Sequence, residues 1–218
     1  MAMNRRDFLR MSAAFTAAGM SPSLFAATKE QFTIYGAPAM PSVTIAVAAA
    51  QGKLAKQADV ALEIWRSPDQ LRAGVASGQF KVMMSPSNVG VNLRNQGQQV
   101  GMVNILTNGI TQLMCKSTPI TSPQELVGKK ILVPFKNDMP DIVLQALLKK
   151  LNIDINKVEI TYAATPTEAI GLFLLKDFHA AILPEPMASA VVQKAKIVGT
   201  EIVRGFDLVK EWGQAFNT

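Results

Sequence analysis

Residues 60–71, VALEIWRSPDQL, and residues 158–169, VEITYAATPTEA, decide how this chain reads. Each opens on a short strand-forming run and closes on a hydroxyl residue, a proline, and a Gln or Glu three places after the hydroxyl. That closing pattern is a helix start. The hydroxyl of Ser67 or Thr165 can accept from the amide three residues on, the side chain of Gln70 or Glu168 can reach back, and Pro68 or Pro166 gives up a donor that has no helical partner. Ser122-Pro123-Gln124-Glu125 carries the same signature. A strand that runs into a capped helix is half of a β/α unit. Two of them 98 positions apart point to a duplication.

The same offset lays Phe80 over Phe178 and Pro86 over Pro184, and one residue more lays Pro41 over Pro140. Working outward, further strand-like runs lie at 31–36, 80–85 and 100–106, with helix-length segments at 41–57, 68–78 and 87–96. Beyond residue 117 the rhythm restarts. Strands are predicted at 130–135, 158–163, 179–184 and 201–206, and helices at 140–151, 166–176 and 186–196. This alternation predicts an α/β protein with mainly parallel sheets. The repeat predicts two β/α lobes around a central cleft, the alternative being one sheet of eight strands. Lobe 1 spans 28–112, and the crossover with lobe 2 spans 113–218.

Almost half the residues are apolar (49%) and only 17% are charged, which suits a chain with a large buried core. After residue 27 no run of about 18 apolar residues occurs, so no membrane-spanning helix is predicted. Part of the net charge of +6 lies at the start, where Arg5, Arg6 and Arg10 face only Asp7, and the rest is mild and scattered. No basic cluster interleaves with aromatics elsewhere, so nucleic acid is not an expected partner. Cys115 is the only cysteine and His179 the only histidine, so neither an internal disulfide nor a His/Cys metal site can be assembled. Nucleophile-elbow, dinucleotide and phosphate-loop patterns are absent. No catalytic residue, metal or cofactor is expected.

The first residues have a purpose of their own. NRRDFLRM (4–11) precedes a short apolar run, MSAAFTAAGM, and small residues near Ala26 and Ala27. A positive segment, an apolar stretch and a small-residue cut make a cleavable export signal, here residues 1–27. The arginine pair followed by Phe8-Leu9 and Arg10 resembles the twin-arginine export signal. The expected location is the periplasm.

In open α/β sheets, ligands sit beyond the carboxyl ends of the strands, where helix N-termini offer unpaired amides and a positive dipole end. In the first half the loops so placed are 37–42, 66–68, 85–90 and 107–110; in the second they are 136–141, 163–166 and 184–187. Their candidate ligand-binding residues are Pro38, Met40, Ser42, Ser85, Ser87, Asn88, Asn108, Asn137, Asp138 and Glu185. Asp138 and Glu185 are the two acids of the set. Together they would favour a ligand with a cationic or donor-rich group, although a carboxylate at a helix start can also simply cap it.

The runs GAPAMPS (36–42), KKILVPFKNDMPDIVLQALLKKLNID (129–154) and AAILPEPMASA (180–190) resemble the NMT1/THI5-like (SsuA/TauA-like) solute-binding proteins of ABC transporters. The resemblance implies a type II periplasmic-binding-protein-like fold that closes on a small-molecule solute, works as a monomer, and delivers its solute to an ABC permease in the inner membrane. It also implies ligand roles for Ser42, Ser85, Asn108, Asn137 and Glu185. Many relatives carry Gly-Ser where this chain has Lys136-Asn137-Asp138, which weakens an anionic ligand. In such proteins the chain returns to lobe 1 after lobe 2, and that return segment is not present before Thr218, so a partial chain is expected. The same family includes a pyrimidine-synthesis enzyme that consumes its own histidine and a pyridoxal cofactor. A ligand sensor that docks to a membrane receptor is a further alternative.

Overall fold

A computed structural model describes residues 30–218. The export signal assigned to residues 1–27 lies outside the described residues.

Strands β1 (Glu30–Gly36), β2 (Ala58–Ile64) and β3 (Val82–Met83) form one parallel sheet in the order β2-β1-β3. They are connected through α1 (Pro41–Gln51), α2 (Lys53–Gln57) and α3 (Pro68–Ala76), and α4 (Ser87–Asn95) follows β3. Tyr35, Ala37, Trp65, Leu71, Val75, Phe80, Val89 and Leu93 pack into a single cluster between this sheet and α3 and α4. The Tyr35 and Phe80 rings stack with centroids 3.7 Å apart. Gly74 permits this, because a Cβ at that position would lie 2.5 Å from the Phe80 ring.

The second sheet has five strands in the order β6-β5-β7-β4-β8. β5 (Lys130–Pro134) leads through α5 (Met139–Lys150) to β6 (Glu159–Ala163), and α6 (Pro166–Leu175) leads to β7 (Ala180–Pro184). β5 pairs parallel with both β6 and β7. β4 (Thr111–Lys116) enters from lobe 1 and runs antiparallel to β7 and to β8 (Ile202–Arg204). α7 (Met187–Ile197) and α8 (Leu208–Phe216) complete the layer. Both faces of this sheet are covered, so β7 is apolar at every position and β5 at every position after Lys130, instead of alternating. Ile131, Val133 and Ile182 face one cluster with Leu144, Leu147 and Leu148 of α5. Leu132, Ala181 and Leu183 face another with Phe173 of α6 and Val191 of α7.

The duplication is visible as topology. β2-β1-β3 and β6-β5-β7 repeat the same strand order, and α3 and α6 follow equivalent strands. Two sheets form, so the single eight-stranded alternative is not what the chain adopts.

Three expectations about elements change, and two elements were not foreseen. No strand forms at 100–106; the segment is extended and open, with Met102 73% and Val103 100% exposed. VGMVNIL is apolar enough for a strand, but among the described residues it pairs with neither sheet. The helix over 41–57 breaks at Gly52, whose ψ of −170° ends α1 before α2 starts. The signature at Ser122 starts only a one-turn 3-10 helix, Pro123–Leu126. There Glu125 accepts from the Thr121 amide and hydroxyl and from the Ser122 hydroxyl, and Ser122 makes no cap bond. β4 and α8 were not predicted.

Candidate functional site

The loops that follow the strands of each lobe meet. Pro41 starts α1 just after β1, and the preceding loop is held in shape by Ser42, whose buried hydroxyl donates to the Ala37 carbonyl at 2.6 Å. Trp65 ties this loop to those after β2 and β3: its amide donates to the Gly36 carbonyl at 3.0 Å and its indole Nε1 to the Met84 carbonyl at 2.9 Å. Pro38 and Ser85 are half-buried, and Met40 and Ser87 are exposed.

In lobe 2 the loop after β5 is strained and then braced. Phe135 (φ 61°) and Asn137 (φ 59°) both sit in the left-handed region, unusual for residues with a side chain. Asp141 holds the turn: this fully buried carboxylate accepts from the Asn137 amide at 2.8 Å, the Tyr162 hydroxyl at 3.0 Å and Gln145 Nε2 at 2.8 Å. A buried carboxylate is tolerable only when it is this well supplied with donors. Burial, then the hydrogen bond to Asp141 and its charge, push the Tyr162 hydroxyl up to about 12. Lys136 Nζ lies 5.3 Å over the Tyr162 ring.

The turn delivers Asp138, the N-cap of α5, into the space between the lobes, where it is 2% exposed. Its Oδ1 accepts from its own Met139 amide at 2.9 Å and from Asn88 Nδ2 at 3.2 Å, and its Oδ2 accepts from Arg72 Nη2 at 3.0 Å. Asn88 lies in the first turn of α4, and its Oδ1 is buried without a partner. Glu185, just past β7, is fixed as firmly. Its amide donates to the Ile110 carbonyl at 2.9 Å, and its carbonyl accepts from the Met40 amide at 2.7 Å. Its carboxylate takes Arg204 Nη2 at 3.0 Å and the Ser189 amide at 3.1 Å.

Hydrogen bonds therefore join these residues across the lobes in two pairs, Met40 with Glu185 and Asn88 with Asp138. Ser42 and Ser85 lie beside them on the bonded loops: Ser42 Oγ is 3.7 Å from Met84 Sδ. Asn137 precedes Asp138 but is exposed, and its amide is used within its own loop. Asn108 is exposed in the irregular stretch before Ile110. Both acids cap helices and both carry an arginine, so the cleft is closer to charge balance than two bare carboxylates would make it. The sequence reading missed Arg72 and Arg204. Arg72 also pairs with Asp69 at 3.2 Å, a visible i,i+3 pattern, but its partner 66 residues away leaves no local trace.

His179 lies at the opposite end of β7 from Glu185. Its Nδ1 accepts from the Lys130 amide at 3.0 Å and its own amide donates to the Lys130 carbonyl at 2.9 Å, so it clips two strands together. Burial pushes the Cys115 thiol up, as for an inert core thiol. Among the described residues no cluster of His, Cys, Asp or Glu could hold a metal, and no helix is long and apolar enough to cross a membrane. An open depression of about 280 Å³ in lobe 1 is lined by Tyr35, Glu63, Gln70, Gln79 and Phe80 among others.

The model of the family described as NMT1/THI5 like matches residues 40–178. Among solved structures, an ABC transporter from Parabacteroides distasonis is 20% identical, with a TM-score of 0.63 over 83% of this chain. The chain spans only 60% of that protein's length. The alkanesulfonate-binding protein SsuA from Xanthomonas axonopodis pv. citri, bound to MOPS, is 16% identical with a TM-score of 0.58, covering 88% of this chain and 71% of its own. An ancestral arginine-binding protein bound to arginine is 17% identical with a TM-score of 0.57, covering 87% and 92%. These likenesses show the fold, that of type II periplasmic binding proteins. No curated protein matches the chain.

Proposed function

We propose, since this chain belongs to the NMT1/THI5-like family, that it is the periplasmic solute-binding component of an ABC importer and captures a small polar organic solute between its two lobes. The observation that carries this reading is the meeting of post-strand loops from both repeats, where the Met40 amide donates to the Glu185 carbonyl at 2.7 Å. Pro38, Met40, Ser42, Ser85, Ser87 and Asn88 would line the solute from lobe 1, with Asn108 at the crossover. Asn137, Asp138 and Glu185 would line it from lobe 2. The work is non-covalent: rigid loops orient the solute and closure about the crossover excludes water. The partner is an inner-membrane ABC permease, to which a monomer delivers its solute.

Each acid has an arginine at 3.0 Å, so a bare anion has little to gain here unless it displaces a carboxylate. The solute class that fits is uncharged or carries a cation together with hydrogen-bonding groups. The enzyme reading is not favoured, because His179 sits at the wrong end of β7 and both its ring nitrogen Nδ1 and its amide are engaged with Lys130. A thermal-shift screen of the full chain against sulfonates, pyrimidines, amines and amino acids tests the proposal. A tight solute raises the melting temperature by mass action without being consumed. No shift with any class, or turnover of one that does bind, would overturn it.

A further inference from the structure

The junction between the two lobes is polar. Each hydrophobic cluster stays within its own lobe, one in lobe 1 and two in lobe 2. Among the described residues, no strand or helix of one lobe packs extensively on an element of the other. Apart from the crossover, where the Ile110 carbonyl accepts from the Glu185 amide, side chains and loops cross among the described residues by three hydrogen bonds: Met40 to Glu185, Arg72 to Asp138 and Asn88 to Asp138. Two of the three end on one carboxylate.

That carboxylate is nearly out of water, with its side chain 3% exposed, whereas the Arg72 side chain is 38% exposed. A carboxylate in such a place has to keep its donors or regain water. When the lobes part, Asp138 retains only its own Met139 amide and must be rehydrated. Burial of Asp138 and closure of the lobes are therefore one state. Arg72 has a resting place for the other state, since Nη1 already holds Asp69 on its own helix at 3.2 Å and Asp69 is 96% exposed. The guanidinium can stay on lobe 1 in both arrangements, and it releases only the partner across the cleft.

We infer that Arg72, Asn88 and Asp138 form a clasp that holds the two lobes together with no solute between them. The consequence is a built-in competition. A protein whose binding-competent state is only partly populated binds more weakly by that fraction, so the clasp sets the apparent affinity of any guest without touching its chemistry. The clasp stands on the two-lobe geometry alone, and it holds equally for a transport protein or a sensor.

Pulsed electron-spin distance measurements on the full chain without added solute test the clasp directly. Spin labels at Lys56→Cys and Lys196→Cys report on the two lobes; both positions are exposed, while Cys115 is fully buried and stays unlabelled. Asp138→Asn keeps a good helix cap and the shape of the side chain but removes the charge. Arg72→Met keeps the apolar stem. Asn88→Asp sets a second carboxylate against Asp138. The parent protein should give one short, narrow distance, and each variant should move population to longer distances. Arg72→Met added to Asp138→Asn should open the lobes little further, because the two act through one bond. Circular dichroism confirms folding, and Asn88→Asp supplies an opening force even if one of the other variants fails to fold. Distances unchanged in every folded variant would overturn the clasp, as would fully additive opening in the double variant.

Discussion

Asp141 shows what a single buried charge does here. Its carboxylate spans the left-handed residue Asn137, the helix residue Gln145 and the strand residue Tyr162, so one side chain sets the shape of the turn that presents Asp138. Tyr162→Phe should cost about 1–3 kcal/mol at neutral pH, because it takes a donor from a buried acceptor. It should also alter the alkaline limb. The Tyr162 phenol holds its proton to about 12 in the folded protein against 10.0 in the free side chain, so its contribution is intact below pH 10 and is lost as pH rises toward 12. Denaturant melts from pH 8 to 12 should show a shallower decline in the Phe variant. Glu185→Gln retains an acceptor for the Ser189 amide and loses only a half-exposed ion pair, so its melting temperature should barely move. Titration calorimetry should show about tenfold weaker binding of a cationic solute and little change for a neutral one. At this scale sequence reading reached the acids but not their partners. Asp138 and Glu185 are marked by position after a strand, whereas the arginines that neutralise them come from α3 and β8, brought near only by folding.

Three helix starts with one sequence signature behave in two ways. Ser67 and Thr165 accept from Gln70 and Glu168, at 3.2 Å and 3.1 Å, and open full helices. Their Gln and Glu side chains return one residue earlier than a capping box requires, to the Arg66 and Ala164 amides. Ser122 instead donates to Glu125 above a single 3-10 turn. Thr165→Ala should therefore destabilise by about 1 kcal/mol, while Ser122→Ala should cost clearly less, as chemical denaturation would measure. The repeated units were legible because a strand leading into a capped helix is a local pattern. The elements that escaped are of another kind. β4 is defined by antiparallel pairing to β7 and β8, which no local pattern encodes. α8 has its apolar period at Leu208, Trp212 and Phe216, but nine residues are too few for periodicity to decide. Conversely, the apolar run at 100–106 looks like a strand and is not one, since a strand also needs a neighbour.

The molecule as a whole holds its two sheets together by a polar junction and one crossover, so its lobes should differ in stability. Lobe 1 has a three-stranded sheet and one apolar cluster, whereas lobe 2 buries both faces of five strands. Leu71→Ala and Phe173→Ala each empty a fully buried site and should cost about 2–5 kcal/mol. Hydrogen exchange should localise the first loss to residues 30–95 and the second to residues 111–216, a segregation that a single shared core would not allow. The duplicated strand order was foreseeable from the 98-residue offset, but the interlobe bonds were not. Those bonds also bear on how selectivity can change over generations. Met40, Asn88, Asp138 and Glu185 lie both among the loops that would greet a guest and among the contacts that join the halves. An exchange at any of them that retunes preference will shift the resting posture of the molecule in the same stroke, so taste and gape cannot drift independently.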